Sequence, residues 1–312
     1  MRAFLFPGQG SQAVGMGAAL AGASRTARDV FDEVDQALGQ NLFRLMRDGP
    51  EDELKLTENA QPAIMAHSIA VFRALTKDGG VELTKAANFV AGHSLGEYSA
   101  LCAAGSFDLA TTAKLLKLRG QAMQAAVPVG QGAMAALLGA DLALAQKIAE
   151  AASQGEVCAV ANDNDPTQVV ISGHKRAIDR AIEMAKDMGA KRAVPLPVSA
   201  PFHCPLMQPA AEAMRDALGY VVLQIPAVPL YANVTAQPER DPDTIRNQLV
   251  EQVTGMVRWR ESVANMASAG VEDFVELGGK VLAGMVKRIA PDAKVTSVVT
   301  IEDIEALAKE IA

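Results

Sequence analysis

The stretch that most constrains this chain is Ala87-Asn88-Phe89-Val90-Ala91-Gly92-His93-Ser94-Leu95-Gly96-Glu97-Tyr98. Phe89-Val90-Ala91 reads as a buried strand, and the residues from Glu97 to Ala104 read as a helix. Between them, Gly92-x-Ser94-x-Gly96 places a glycine two residues either side of a serine. This is the strand–turn–helix setting of a nucleophile elbow, where strand and helix backbones crowd and small neighbours are needed. The elbow sets the Ser94 hydroxyl at a helix N-terminus, where free N–H groups and the helix dipole favour negative charge. Ser94 is therefore a candidate nucleophile and the Leu95 N–H a candidate oxyanion donor. The alternative is a glycine-flanked helix start with Ser94 as its N-cap.

With 312 residues, the chain has room for two average domains, or for one large α/β domain carrying an insertion. Half of the residues are apolar and only 4% are aromatic, which favours a helix-rich α/β fold over an all-β sandwich. A net charge of −7 argues against a general nucleic-acid binder. Cys102, Cys158 and Cys204 are far apart and include no C-x-x-C pair, so neither a disulfide framework nor a metal site is indicated. No signal peptide and no apolar run of about 18 residues is present, so a soluble cytoplasmic protein is expected, without membrane contact.

Along the chain, Arg2 to Pro7 reads as a first strand, followed by the tight polar loop Gly8-Gln9-Gly10-Ser11-Gln12. This loop matches neither nucleotide-binding glycine pattern, so Gln9 is read as aiming its amide and nearby N–H groups into an active site. Thr57-Glu58-Asn59-Ala60-Gln61 reads as a polar loop ending at Pro62, the first residue of a helix. From Gly130 to Pro197 the order is β-α-β-β-α-β, with Asn162-Asp163-Asn164-Asp165-Pro166 as a turn. That order is the ferredoxin-like pattern. It predicts an inserted subdomain over 129–197 within a larger α/β domain formed by 1–128 and 198–312.

A serine nucleophile needs a base, and the chain has four histidines. His67 lies mid-helix among apolar residues, His93 sits on the elbow and shapes the turn, and His174 starts a helix. His203 lies in the proline-bracketed loop Ser199-Ala200-Pro201-Phe202-His203-Cys204-Pro205, a setting suited to catalysis, and is the candidate base. No aspartate between Ser94 and His203 has a convincing strand-end position. A backbone carbonyl or amide is therefore left to orient the histidine, which counts against an ordinary hydrolase triad. Arg119 follows Leu115-Leu116-Lys117-Leu118 on a helix, and its guanidinium is costly on an apolar face unless paired. It snorkels at a helix edge, forms a structural salt bridge, or faces Ser94, where its fork would bind a substrate carboxylate.

Phe6-Pro7-Gly8-Gln9-Gly10-Ser11-Gln12, Gly92-His93-Ser94-Leu95-Gly96-Glu97, Arg119-Gly120-x-x-Met123, Gly132-Ala133-Met134-Ala135 and Pro201-Phe202-His203 span most of the chain. In this order they resemble the bacterial malonyl-CoA:acyl-carrier-protein transacylases of fatty-acid synthesis. The resemblance implies an α/β-hydrolase-like core with a parallel sheet and an inserted ferredoxin-like subdomain. It implies Ser94 as the acyl-carrying nucleophile, His203 as base, Gln9 and the Leu95 N–H as oxyanion pocket, and Arg119 as holder of the malonyl carboxylate. A main-chain carbonyl orients the family's histidine and maps onto Gln252, although Val253-Thr254-Gly255-Met256-Val257 departs from the family's sequence there. Phe202 resembles the malonyl-selective form, and Met123 joins it as a selectivity residue. Malonyl-CoA and acyl carrier protein are the implied partners, coenzyme A being a substrate rather than a cofactor, and a monomer is expected. The family's carrier protein is acidic, so a basic patch near the site entrance is expected among Lys191, Arg192, Lys280, Lys287 and Arg288. The rivals are a serine thioesterase, a non-catalytic carrier-binding module, and malonyl loading of a polyketide pathway by the same chemistry.

Overall fold

Ala3, Phe4, Leu5 and Phe6 are apolar on both faces of a strand, and all four are fully buried. A strand of this kind belongs in the middle of a parallel sheet covered on both sides. The computed structural model, which describes residues 1–311, places it there. Strand β1 (Arg2–Phe6) pairs in parallel with β2 (Phe89–Gly92) on one side and β9 (Asp273–Leu277) on the other. Beyond β9 lies β10 (Lys294–Val298), and beyond β2 lies β7 (Leu230–Tyr231), both parallel; β8 (Pro238–Glu239) closes that edge antiparallel. Phe4 and Phe6 face one core with helices Arg25–Leu38, Thr57–Arg73 and Leu109–Ala126. Ala3 and Leu5 face the other, with helices Trp259–Ser268 and Leu282–Ile289.

The chain leaves β1 towards β2 on one side and returns to its other side at β9, so the strand order reverses at β1. The crevice beyond the carboxyl ends at such a reversal is where open α/β sheets bind ligands. Gln9 follows β1 and Ser94 follows β2, which puts both residues there.

A second, antiparallel sheet is built from β3 (Gly132–Leu138), β4 (Cys158–Asp165), β5 (Gln168–His174) and β6 (Arg192–Pro195), in the order β4-β5-β3-β6. Helices Leu142–Ser153 and Lys175–Ala185 pack on one face through Ile148 and Ile178 against Leu137 and Ile171. Met134, Ala136 and Val170, on the other face, join the core that holds Phe4 and Phe6. Among the described residues no helix is long and apolar enough to cross a membrane.

Two segments differ from the sequence reading. Asn162–Asp165, expected as a turn, continues β4, and the reversal falls at Pro166 and Thr167. The segment pairs with β5, and three of its four polar side chains find a partner. Asp163 and Asp165, both buried, are ion-paired at 2.8 Å with Arg260 and Arg288, and Asn164 Oδ1 meets His93 Nε2 at 2.8 Å. Asn162 forms an isolated parallel backbone bridge with Val257.

The second difference is at Thr57, where the helix expected from Pro62 already begins. Pro62 sits inside it, a placement that costs about 3 kcal/mol in a helix interior. Tertiary contact outweighs that cost. At Gly120 the helix Leu109–Ala126 approaches so closely that a Cβ would lie 2.5 Å from Glu58 Cα, and Thr57 and Gln61 are buried in the contact.

Candidate active site

The elbow is as tight as its glycines demand. A Cβ on Gly92 would lie 1.9 Å from Gly96 O, and one on Gly96 2.2 Å from Phe6 O. Ser94 itself has φ 52°, a conformation that costs a non-glycine residue about 1 kcal/mol or more. Asn233, two residues beyond β7, holds the turn from below. Its Oδ1 accepts from the Ser94 N–H at 2.8 Å, and its Nδ2 donates to Gly92 O at 2.7 Å. The helix Gly96–Ala103 starts immediately, with the Leu95 N–H at its head.

His203 arrives from the loop after β6, also at positive φ (55°). Its Nε2 lies 2.7 Å from Ser94 Oγ and its Nδ1 2.8 Å from Gln252 O. Gln252 ends the helix Pro242–Gln252, and the last carbonyls of a helix lack intrahelical donors, so its oxygen is free for the imidazole. With Nδ1–H donating to that carbonyl, Nε2 is left to accept the serine proton. Burial, with the Arg119 guanidinium beside it, pushes His203 down from the ordinary 6.5 to about 3. It stands as a neutral acceptor.

Arg119 is 1% exposed and reaches Ser94, so of its readings the structure shows the one facing the site. One terminal nitrogen (Nη1) donates to Gln61 Oε1 at 2.7 Å. The other (Nη2) donates to Gln252 Oε1 at 2.8 Å and to Ser94 Oγ at 3.2 Å. Its Nε has no partner among the described residues. A buried cation thus rests on neutral amides and a hydroxyl, with no carboxylate of the described residues directly on its fork.

Gln9 Oε1 accepts from Thr57 Oγ1 at 3.2 Å, and Thr57 Oγ1 accepts from Gln61 Nε2 at 2.9 Å. This chain runs from Arg119 through Gln61 and Thr57 to Gln9, and it commits the oxygen end of the Gln9 amide, leaving its NH2 end for the cavity. A cavity of about 250 Å³ opens over these groups, lined by Gln9, Ser94, Leu95, Arg119, Met123, Phe202 and His203 among others.

Of the residues singled out from the sequence, Ser94, His203, Arg119, Gln9, Leu95, Met123 and Phe202 all line this cavity, and Gln252 lies behind it. His93 lines it too, held by Asn164 and set edge-on to Trp259. His67 and His174 do not; they bond Gly278 O and the Val157 N–H. Cys204 is buried with its thiol on Pro201 O. Four residues escaped the sequence reading: Gln61, Thr57, Asn233 and Glu97. Asn233 carried a usable signal, a polar amide at the carboxyl end of a strand. Thr57 and Gln61 were hidden by the loop assignment before Pro62.

The acyl transferase domain family matches residues 3–298 of this chain. The malonyl CoA-acyl carrier protein transacylase of Escherichia coli strain K12 is 48% identical over 288 residues, 92% of each chain. The crystal structure of acyl-carrier-protein-S-malonyltransferase from Bartonella henselae is 52% identical, covers 99% of both chains and superimposes with a TM-score of 0.97. A malonyl-transacylase solved in complex with its type II PKS acyl-carrier protein is 39% identical over 99% of both chains, with a TM-score of 0.95. On this similarity the chain belongs to the acyl transferase domain family, among its malonyl CoA-acyl carrier protein transacylases.

Proposed function

We propose that this chain moves a malonyl group from coenzyme A to the phosphopantetheine thiol of acyl carrier protein, through an acyl-enzyme on Ser94. The carrying observation is the buried Arg119 fork, 3.2 Å from the Ser94 hydroxyl and without a carboxylate of its own. A thioester whose acyl group ends in a carboxylate would complete that fork.

The chemistry follows from the geometry. His203 Nε2 takes the Ser94 proton as Oγ attacks the thioester carbonyl. The tetrahedral oxyanion lies between the Gln9 amide NH2 and the Leu95 N–H at the head of the elbow helix. The imidazolium formed at this step is steadied by Gln252 O, at the negative end of its helix. It then gives its proton to the departing coenzyme A sulfur. In the second half, the carrier thiol loses its proton to His203, attacks the malonyl ester and returns Ser94 as the hydroxyl. Phe202 and Met123 line the acyl end and set its shape. Coenzyme A enters as a substrate, and the residues require no metal.

The larger unit, 1–128 and 198–312, is read as α/β-hydrolase-like, since its nucleophile sits on an elbow after a central parallel strand. The unit 129–197 is read as ferredoxin-like, because its strands stand in the order β4-β5-β3-β6 with both helices on one face. We take the enzyme to act as a monomer in the cytoplasm. Supply of fatty-acid elongation is the first assignment. The likeness to a transacylase bound to a type II PKS carrier supports polyketide loading as the second.

The decisive experiment isolates the malonyl-enzyme after mixing with malonyl-CoA and compares its discharge by water and by holo acyl carrier protein. Faster discharge by the carrier thiol is expected. Discharge by water at the same rate would make the protein a thioesterase. Parallel assays with carrier proteins of the two pathways separate the pathway assignments.

Because His203 is held near 3, its neutral form persists through the usual histidine range. Acylation of Ser94 is expected to show no acid limb at 6.5, and to fall only well below that pH. Rapid-quench rates of Ser94 acylation by acetyl-CoA, which makes no use of the Arg119 fork, from pH 4.5 to 8 check this; an acid limb centred on 6.5 is the contrary result.

Carrier docking is read onto exposed basic residues. Lys191 and Arg192 lie at the start of β6, and Lys280 lies after β9. Arg288 is held by Asp165 and Lys287 by Ala293 O, which leaves the first three as the stronger candidates. The carrier KM is expected to rise with salt, since exposed charges are screened over about 8–10 Å at 0.1–0.15 M. A KM that is the same at 20 and 300 mM salt, in steady-state assays, rejects this docking mode.

A further inference from the structure

The elbow helix carries an acid that the mechanism above leaves unused. Glu97 sits in its first turn, 1% exposed, yet it does not cap its own helix. Its Oε2 accepts from Gln252 Nε2 at 2.7 Å and from the Asn233 N–H at 3.3 Å, while Oε1 has no partner among the described residues. Burial raises its pKa to about 7, against the pull of Gln252, Asn233 and Arg119. A carboxylate buried with one oxygen unsatisfied is costly for the fold, so its contacts point to another use.

The shorter of those contacts is to the Gln252 side chain. An amide presents a donor end and an acceptor end, and either fits the same space. Here the NH2 end faces Glu97, Ser94 O at 3.0 Å and Asn233 Oδ1 at 3.3 Å. The oxygen end therefore faces Arg119, at 2.8 Å. Glu97 supplies the shortest of the three acceptors and the only carboxylate among them, and such bonds are the strong ones. Turned the other way, the amide would set an NH2 against the guanidinium, donor against donor.

We propose that Glu97 is a positioning residue for acyl selectivity: it fixes the polarity of the Gln252 amide, so that the amide oxygen holds the Arg119 fork ready for an acyl carboxylate. This rests on the reading of Arg119 as the carboxylate clamp. The Gln252 main-chain carbonyl, which serves His203, needs no particular amide polarity. Loss of Glu97 should thus strike malonyl transfer and largely spare transfer of an acyl group that lacks the carboxylate.

The test measures Ser94 acylation by malonyl-CoA and by acetyl-CoA, and reads the ratio of the two rates. Glu97→Leu removes the acceptor, and Glu97→Gln keeps one in the same place. Glu97→Met serves in place of Glu97→Leu if melting curves show that the latter does not fold. The ratio is expected to fall at least about tenfold in Glu97→Leu and to recover to within about threefold of the wild type in Glu97→Gln. In an Arg119→Ala background, Glu97→Leu is expected to lower the ratio no further, because the residue it acts through is gone. An unchanged ratio in folded Glu97→Leu or Glu97→Met, or equal losses for both substrates, would overturn the proposal while leaving the clamp in place. A further fall in the double variant would do the same. If Arg119→Ala alone leaves the ratio at the wild-type value, the clamp itself fails and this role of Glu97 falls with it.

Discussion

Ser94→Ala is expected to abolish covalent labelling by malonyl-CoA and to cut malonyl transfer by about 10⁴-fold or more, the scale on which nucleophile deletions act. Nothing else in the cavity takes over. The Cys204 thiol is buried on Pro201 O, and the other cysteines, Cys102 and Cys158, do not line the cavity. Burial pushes both of those thiols up to about 11, so neither is an ionised nucleophile near neutral pH. The fold should survive. Among the described residues the hydroxyl bonds only His203 and Arg119, and alanine bears the left-handed φ of 52° no worse than serine does. A melting temperature within a few degrees of the wild type is therefore expected. Intact-mass spectrometry after mixing with malonyl-CoA is the measurement. A malonyl adduct persisting on any residue of the variant would remove Ser94 from the role of nucleophile.

The elbow was legible in the sequence because its constraint is local. Gly92 and Gly96 are needed by backbone approaches within a few residues of Ser94 and by the neighbouring strand end, and such crowding leaves a residue-type signature. The β-α-β-β-α-β order was legible for the same reason, each element having its own period and its own turns. What the sequence hid was pairing at a distance. Asn162–Asp165 has the composition of a turn; pairing with β5 carries it on as a strand, and its buried carboxylates and the Asn164 amide are matched by Arg260, Arg288 and His93, remote in the chain. Likewise, Pro62 marks a helix start until Gly120 lets a second helix clasp the preceding turn. That one misreading concealed Thr57 and Gln61, hence the polar chain joining the arginine to Gln9. Gln252 showed half of its part. The carbonyl role came from resemblance, whereas its side chain, bonded to Glu97 and Arg119 at once, needed the three-dimensional arrangement.

Arg119→Ala is expected to lower kcat/KM for malonyl-CoA by roughly ten- to several-hundred-fold. The reasoning starts from what the guanidinium leaves behind. A malonyl carboxylate entering the variant site would be desolvated without its charged partner, a loss of about 1.5–3 kcal/mol that grows with burial. The same deletion strips Gln61 Oε1 and Gln252 Oε1 of their donor, so some loss of stability accompanies the loss of rate. Acetyl-CoA presents no carboxylate, and its acylation rate should fall far less. Arg119→Lys should restore only part of the malonyl rate. An ammonium is a point donor and cannot hold the Gln61 oxygen, the Gln252 oxygen and a substrate carboxylate in one plane. Acylation of Ser94 by both thioesters, measured by rapid quench in the wild type and the two variants, separates the possibilities. Equal losses for malonyl and acetyl groups would mean that the guanidinium serves Ser94 Oγ, 3.2 Å away, or the packing around it, and that it is not the carboxylate clamp.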